Sequence, residues 1–558
     1  MTEPSQEIAD LAERVLRHIL DAEPLEATLT GFREYDARLA DLSREAQDGH
    51  TAERAAIRTD ARAIDPASLD DQDAVTRSVI ISLTEYGDDG SAADALEYTV
   101  AAFPVSPSSI LLAYLRMVVA TDAAQAEDYL LRLATIPRYL AQAEARLAEG
   151  RGKSVLPVAH LVEMAIAQID QFLAAPESPL IIDAPADAPD DWRPRLDTLL
   201  DDIVRPAFES HRDHLRREVL PTARSLDTPG LVHLPGGLDR YRGLVRLHTT
   251  TERTPEEIHE IGLATVDAIH AEFRQLGSVL FGPADVRAIF DHLQSDPTLK
   301  WETAEQIIEA AEVTVRRAEA ASGDWFGRLP ASVCVLEQVP ELEAEGSAPA
   351  YYMPPALDGS RPGTYYTNVN RPTERTSFDL ESVAYHEAVP GHHFQISLAL
   401  ETPDLPMIRR LSLFTAYVEG WGLYSERLAD EMGLYSSDLQ RMGMLSADVW
   451  RAARLVVDTG LHAMGWTRQQ AVDYMVANTP VAPIDVEAEI DRYIAMPGQA
   501  LSYMTGRMEI QALRARAESA LGDEFDIKAY HDLVLASGAL PLAVLGEVVD
   551  AWIAGVRP

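Results

Sequence analysis

The chain has 558 residues, of which 47% are apolar and 25% charged, a composition typical of a globular protein rather than a disordered one. Its formal charge of −41 argues against binding to nucleic-acid backbones or anionic membranes, because both need clustered cations. The single cysteine, Cys334, excludes an intrachain disulfide and a cysteine-based metal site. We find no cationic start followed by an apolar run and no apolar stretch of roughly 18 residues, so we expect a cytoplasmic protein.

Helical periodicity dominates the chain. Residues 7–16 place apolar side chains three and four positions apart, and residues 122–149 predict a helical pair broken near Pro137. Residues 176–194, rich in proline and aspartate, predict a long exposed connection. A helix should begin after Thr254, which is followed by a proline and two glutamates, the signature of a capped N-terminus. We therefore expect a mostly α fold.

One stretch departs from this helical pattern. Residues 332–370 contain β-branched and aromatic runs separated by glycine and proline, and these runs predict a small sheet with strands at Val333-Cys-Val-Leu, Ala350-Tyr-Tyr-Met and Gly363-Thr-Tyr-Tyr-Thr. A sheet edge beside a metal-binding helix suits an extended peptide, although a purely structural sheet fits the sequence equally well. The predicted organisation is an N-terminal helical lobe, residues 1–230, and a C-terminal catalytic lobe, residues 231–558, which form one unit.

The segment 385–393 looks like the helix of a zinc hydrolase with two residues inserted. It reads Tyr-His-Glu-Ala-Val-Pro-Gly-His-His, and removal of its proline and glycine restores the H-E-x-x-H pattern of metalloproteases. On an unbroken helix His392 faces away from His386, and His393 lies roughly 10 Å along the axis. We therefore predict that Pro390-Gly391 forms a bulge in the helix that turns His392 towards His386, with His393 as the alternative ligand.

A catalytic zinc needs a third protein ligand and one open position. Glu419 is the best candidate, because the prolines that follow the histidines allow the chain to turn and return on the next helix. Glu426 lies two turns after Glu419 on the same face, so one glutamate can bind the metal while the other holds a ligand histidine; Glu426 is the alternative ligand. Glu387 adjoins the first histidine, where a general base must lie. In the alternative interpretation no metal binds, and Glu419 and Glu426 are two surface residues of an ordinary amphipathic helix.

Three further side chains are candidates for contact with a substrate. Tyr503 can donate a phenolic hydrogen bond to a developing oxyanion, and Arg507, four residues on, can pair with a substrate carboxylate. His462 follows Asp458 by four residues, so the aspartate could orient the ring for donation to the oxyanion. For Tyr503 and Arg507 a structural hydrogen bond or salt bridge is an equally good interpretation. For His462 an ion-pair ladder with Arg454 and Asp458, at four-residue intervals, is the slightly better interpretation.

The motifs at 386–393, 419–426 and 497–503 together resemble those of a bacterial family of unknown function, with the patterns HExxPGHH and EGWxxYxE. That family is similar to mostly helical zinc peptidases, among them the Taq-type carboxypeptidases, the thimet-type oligopeptidases and angiotensin-converting enzyme. The resemblance covers about the C-terminal 300 residues of the chain. It implies a large helical body with a deep cleft and a small sheet beside the metal-binding helix.

The resemblance also implies a site. By residue-for-residue correspondence, His386, His392 and Glu419 would hold one zinc ion per chain, Glu387 would be the general base and Tyr503 the oxyanion donor. The sequence departs from those peptidases in one respect, since they usually keep the two histidines four residues apart.

We therefore expect a zinc metallopeptidase that hydrolyses short peptides. An arginine such as Arg507 that anchors the terminal carboxylate would make it a carboxypeptidase, which the resemblance favours, and without such an anchor it would be an oligopeptidase. Two other classes stay open: a metal-dependent amide hydrolase with a non-peptide substrate, and a non-catalytic binding protein in which Pro390-Gly391 has abolished metal binding. The sequence leaves the oligomeric state open.

Overall fold

The computed structural model describes residues 3–282, 285–340, 344, 348–359, 361–411 and 413–556. Before the sheet the chain is helical, as its periodicity predicts. The α-helices of this part are α1 (Glu3–Ala22), α2 (Pro24–Thr30), α3 (Arg44–Ala63), α4 (Asp71–Ala93), α5 (Pro107–Tyr114), α6 (Ala123–Ala134), α7 (Ile136–Gly152), α8 (Ala159–Ala174), α9 (Trp192–Leu199), α10 (Arg205–His214), α11 (Gly237–Thr249), α12 (Pro255–Leu280), α13 (Val286–Ser295) and α14 (Ala304–Ser322).

A small sheet and a second series of helices follow. The strands are β1 (Val335–Gln338), β2 (Ala350–Met353) and β3 (Thr364–Thr367). The later helices are α15 (Leu380–Glu387), α16 (His392–Leu400), α17 (Met407–Arg410), α18 (Thr415–Glu431), α19 (Asp438–His462), α20 (Arg468–Asn478), α21 (Pro483–Ala495), α22 (Ser502–Leu521), α23 (Ile527–Ala536) and α24 (Leu542–Val556). The mostly α fold class is thus confirmed.

Several local predictions are confirmed. Residues 7–16 lie in α1, and the stretch 122–149 divides into α6 and α7, with Pro137 in the first turn of α7. Thr254 caps α12, and its hydroxyl accepts a hydrogen bond from the N–H of Glu257 at 3.2 Å. This bond satisfies one of the amides that the start of a helix leaves without an intrahelical partner.

The predicted connection at 176–194 needs a correction. The chain between α8 and α9 is irregular, but α9 already begins at Trp192. The connection is also not wholly exposed, because the side chains of Leu180 and Ile182 are 0% and 7% exposed. Both pack into the core formed by α5 to α10. Leu180 and Ile182, two apolar residues in a polar segment, therefore anchor this connection to the core.

The sheet has the strand order β1-β3-β2. β1 pairs parallel to β3, with Val335 opposite Thr364, and β2 pairs antiparallel to β3, with Ala350 opposite Thr367. The predicted strands β2 and β3 are confirmed, whereas β1 begins two positions later than its apolar run suggests. In the described sheet β2 lies at one edge, and it packs against α15, the helix that carries His386.

Three hydrophobic cores hold the helices together. Core 1 joins α1, α3 and α4 to α14 to α16, α18 and α22 to α24. Core 2 surrounds α19 and includes α11 to α13, α20 and α21, and core 3 comprises α5 to α10. Core 1 spans both predicted lobes, because α1, α3 and α4 precede residue 230 and its helices from α14 onwards follow it. The boundary at residue 230 stays a prediction. Among the described helices, none combines the length and apolar character of a membrane span.

Candidate metal centre

His386 and His392 belong to two helices rather than one. α15 ends at Glu387, the peptide bond before Pro390 is cis, and α16 begins at His392. The predicted bulge in a continuous helix is therefore wrong. Pro390 has no N–H to donate and disfavours helical geometry in the preceding residue, so the chain leaves the helix altogether. The break turns the two imidazole rings towards each other, with their centroids 4.7 Å apart.

The connection between α15 and α16 depends on close contacts. A Cβ at Gly391 would overlap the carbonyl oxygens of Tyr385 and His386, so only glycine lets the chain pass so near the end of α15. The carbonyl of Pro390 accepts hydrogen bonds from the Trp421 indole N–H at 2.8 Å and the Ser425 hydroxyl at 3.2 Å. Helix α18 therefore holds the connection as well as supplying the third candidate ligand.

Glu419 projects from α18 between the two histidines. Its Oε2 lies 3.5 Å from Nε2 of His386 and 3.5 Å from Nε2 of His392. Ligands bound at about 2.1 Å in a tetrahedral centre are roughly 3.4 Å apart, so both distances suit a shared ion. One donor atom from each of the three residues lies within 4.8 Å of the others, and such a His-His-Glu cluster could hold a metal ion. Binding one ion requires at most a small inward movement of the rings.

Glu426 orients the first histidine. The Nδ1–H of His386 donates to Oε1 of Glu426 at 2.8 Å, and the hydroxyl of Ser382 donates to Oε2 of the same carboxylate at 2.5 Å. The bond fixes the tautomer of His386, so that the lone pair of Nε2 points towards Glu419. Glu426 is 1% exposed and holds a ligand rather than joining the cluster. We did not predict a role for Ser382, although its position one turn before His386 on α15 indicates that the two side chains share a face of the helix.

Two glycines of α18 make room for the centre. A Cβ at Gly422 would lie 2.7 Å from Cε1 and Nε2 of His386, so this glycine provides the space that the imidazole occupies. A Cβ at Gly420 would lie 2.5 Å from Cα of Gly506 on α22. The close crossing of α18 and α22 brings Tyr503 to the metal cluster.

The electrostatics of the cluster favour a positive charge between the three side chains. Desolvation lowers the pKa of His386, but hydrogen bonds with Glu419 and Glu426 outweigh it and raise that pKa to about 9. Burial raises the pKa of Glu419, but the hydrogen bonds and charges of His386 and His392 lower it overall. In the absence of a metal a proton occupies this position, and a divalent cation competes with that proton.

Glu387 and Tyr503 lie beside the cluster without belonging to it. Burial raises the pKa of Glu387, which strengthens the carboxylate as a base, while the nearby histidines oppose the shift. The Tyr503 ring stacks beside His386 with a centroid distance of 6.4 Å. Burial, and then the charge of Glu419, raise the pKa of Tyr503, so its phenol keeps the proton that a hydrogen-bond donor needs.

His393 points away from the cluster. Its Nε2–H donates to the carbonyl of Ser332 at 3.1 Å, and its Nδ1 accepts from the hydroxyl of Tyr352 on β2 at 3.0 Å. Both ring nitrogens thus join α16 to other segments, one to β2 and the other to the residues before β1. His392, by contrast, keeps a buried Nδ1 without a partner among the described residues and directs Nε2 at Glu419.

The structure does not bring His462 to the cluster. Its Nδ1 accepts from the N–H of Leu231 at 3.2 Å and its Nε2–H donates to the carbonyl of Tyr493 at 3.0 Å. Burial lowers its pKa to about 3, so the ring is neutral. Asp458 instead accepts from Tyr241 and from the N–H of Gly498. The prediction that Asp458 orients His462 is wrong, because backbone groups occupy both ring nitrogens.

Arg507 also differs from its predicted role. Its Nη1 donates to Asp448 at 2.5 Å, in an ion pair that is almost completely buried. Arg427 pairs with the same aspartate. A guanidinium so neutralised anchors α22 to α19 and is a poor partner for a substrate carboxylate, because a ligand would first have to replace Asp448.

One family model and two solved structures match this chain. The crystal structure of a "putative lipoprotein" from Colwellia psychrerythraea has a TM-score of 0.90, 28% identity and 100% coverage of both chains. A "putative lipoprotein of unknown function" from Shewanella oneidensis has a TM-score of 0.74 at 19% identity and covers 97% of this chain and 99% of its own, which shows a shared fold. No curated protein matches significantly. The model of the family described as bacterial protein of unknown function (DUF885) matches residues 24–549, so this chain belongs to that family.

Proposed function

We propose that this protein is a zinc-dependent metallopeptidase that hydrolyses short peptides. The observation that carries the proposal is the convergence of His386, His392 and Glu419, whose donor atoms lie within 4.8 Å of one another. Two imidazoles and one carboxylate are a ligand set typical of catalytic zinc in peptidases, with a fourth position open. One zinc ion bound there would polarise the scissile carbonyl and make water a better nucleophile.

The surrounding side chains have the roles that hydrolysis needs. Glu387 takes a proton from the attacking water and returns it to the leaving amine, for which its raised pKa suits it. Tyr503 donates its phenolic hydrogen to the oxygen on which negative charge develops. Glu426 keeps His386 in the tautomer that leaves Nε2 free.

The substrate we infer is an extended peptide in a cleft beside the sheet. β2 lies at the edge of the described sheet and packs against α15, and extended peptides commonly bind alongside the edge strand of a sheet. A cleft between helices admits short chains and excludes folded proteins by size. The charge of −41 disfavours nucleic acid as a partner. A cytoplasmic location stays a prediction, and the naming of two similar proteins as lipoproteins makes a membrane-anchored location the alternative.

The test is a peptide-cleavage assay with metal removal and return. The protein purified without chelators should cleave members of a random peptide library, and mass spectrometry identifies the cleaved bonds. Dialysis against a chelator should abolish cleavage, and about one equivalent of zinc per chain should restore it, because the proposed site holds one ion. Zinc binding with no cleavage of any peptide would rule out a peptidase and leave the non-peptide amide hydrolase.

A further inference from the structure

Tyr503 lies in the first turn of helix α22, and contacts with α19 hold the backbone just before it. The preceding loop contains Gly498, which has a left-handed φ of 86°. The N–H of Gly498 donates to the buried carboxylate of Asp458 at 3.0 Å, and Asp458 also accepts from the hydroxyl of Tyr241. These bonds fix the start of α22 against α19. They do not set the direction of the Tyr503 ring, which turns about two side-chain bonds of its own.

The guanidinium of Arg454 on α19 lies against that ring. Its central carbon is 4.5 Å from the centroid of the Tyr503 ring and 4.6 Å from the centroid of the Trp450 ring. A cation within about 6 Å of an aromatic centroid is attracted by the electrons of the ring. The Tyr503 ring also stacks beside His386, with a centroid distance of 6.4 Å. The side chain beside the first candidate ligand therefore packs against a cation that a different helix supplies.

Helix α21 holds Arg454 in one orientation. The Nε–H of Arg454 donates to the hydroxyl of Tyr493 at 2.7 Å, and its Nη2 donates to Glu489 at 3.1 Å. The Tyr493 hydroxyl donates in turn to Glu489 at 2.5 Å and accepts from the indole N–H of Trp450 at 3.2 Å. Among the described residues Arg454 thus pairs with α21, and the ion-pair ladder with Asp458 does not form. The network fixes the plane of the guanidinium and the surface that it offers to the phenol ring.

We propose that Arg454 is a positioning residue, which directs the phenol of Tyr503 to the oxygen of the scissile carbonyl. This inference rests on the proposed peptidase function. A hydrogen-bond donor stabilises the oxyanion only from the place where the negative charge develops, and a misplacement of about 1 Å can cost roughly 100-fold in rate. A flat guanidinium can stack on the ring and keep its bonds to Tyr493 and Glu489 at the same time, which a lysine cannot do.

The first test is a double-mutant cycle on zinc-loaded protein. Arg454→Met should lower kcat for a short peptide by roughly 10- to 100-fold, the scale of a misplaced catalytic group, and change KM little. Arg454→Lys should lose less, because it keeps the charge but not the flat stacking surface. In the Tyr503→Phe protein, which lacks the phenolic hydroxyl, Arg454→Met should lower kcat no further. An equal loss of kcat in both backgrounds would overturn the inference, because Arg454 would then act independently of Tyr503.

The controls distinguish this effect from general damage to the fold. Glu489 keeps Arg492 as a partner at 3.0 Å when Arg454 is replaced, so no unpaired carboxylate results. Arg468→Met is the matched control, because Arg468 forms an ion pair with Asp491 of α21 at 2.7 Å and stacks on no ring among the described residues. It should keep the kcat of the wild type, and a loss as large as that of Arg454→Met would overturn the inference. Arg454→Lys replaces Arg454→Met in the cycle if the latter does not fold.

Crystal structures separate this inference from the proposed function, because they do not depend on hydrolysis. In the wild type the Tyr503 ring should be ordered against the guanidinium of Arg454. In Arg454→Met the ring should adopt another rotamer or be spread over several. A displaced ring in a protein that hydrolyses no peptide would overturn the peptidase and leave the positioning of Tyr503 by Arg454 standing. An unchanged ring in Arg454→Met would overturn the inference, whatever the activity of the wild type.

Discussion

Replacement of Glu387 by glutamine should slow peptide hydrolysis at least roughly 100-fold and leave zinc bound. Glutamine keeps the shape of the side chain but cannot accept a proton from the attacking water. General acid–base catalysis contributes roughly 10²- to 10⁴-fold, so kcat should fall within that range. Zinc content should stay near one ion per chain, because Glu387 is outside the cluster of His386, His392 and Glu419. Parallel assays of hydrolysis and metal content test both parts.

Glu260 provides a matched control for this variant. It too follows a histidine in the sequence, but it is exposed on α12, and His259 hydrogen-bonds Thr459. Glu260→Gln should therefore hydrolyse peptides at the rate of the wild type. Hydrolysis by Glu387→Gln within a few-fold of the wild type would contradict the role of Glu387 as general base, and a loss of zinc would make Glu387 a ligand.

Replacement of Gly422 by alanine should empty the metal centre through a single added methyl group. The new Cβ would lie 2.7 Å from Cε1 and Nε2 of His386, closer than carbon atoms approach in proteins. The ring cannot move freely, because Glu426 holds its other nitrogen and the residue is 3% exposed. We expect zinc affinity to fall by roughly 100-fold or more, since even weaker support of a ligand is worth 10- to 100-fold.

The same variant should also be less stable, by about 1 to 3 kcal/mol, as overpacking of a filled interior usually costs. Metal content and thermal unfolding measure these two effects, and peptide hydrolysis should fall together with the metal content. Gly546→Ala is the control, because its Cβ would meet nothing closer than 3.7 Å and lies in helix α24. If Gly422→Ala binds zinc as tightly as the wild type, Nε2 of His386 is not a ligand.

Local signals in the sequence account for much of the fold. The capping pattern at Thr254 and the interruption at Pro137 depend on neighbouring residues alone, and both appear in the structure. The burial of Leu180 and Ile182 could not be predicted in the same way. It depends on which helices surround the connection, and those helices come from segments far away in the chain.

The candidate site shows the same difference between features that local sequence signals predict and features that depend on distant segments. The seven-residue spacing of Glu419 and Glu426 identifies two side chains on one helical face, and both meet His386 in the structure. The path of the chain at Pro390 did not follow from helical geometry, because that geometry assumes one continuous helix. The connection instead takes its form from Trp421 and Ser425, which bind the Pro390 carbonyl across the helix boundary.

The arginines illustrate a limit that sequence spacing cannot overcome. Arg507 is four residues from Tyr503 and looked like the anchor, but Asp448 on another helix neutralises it. Nothing in the sequence distinguishes Arg451 from the other arginines. Its lack of an ion pair among the described residues is visible only in the folded structure, where distant segments meet. His462 is a similar case, since the backbone of Leu231 and Tyr493 takes both of its nitrogens.

The most direct test of this account is the zinc content of three proteins purified without chelators: the wild type, His392→Ala and His393→Ala. The wild type and His393→Ala should each hold about one zinc per chain, because the His393 nitrogens bind Ser332 and Tyr352. His392→Ala should hold almost none, because His392 faces Glu419 at 3.5 Å. A wild type that binds no zinc even when zinc is supplied, or stoichiometric zinc in His392→Ala together with its loss in His393→Ala, would contradict the proposed centre.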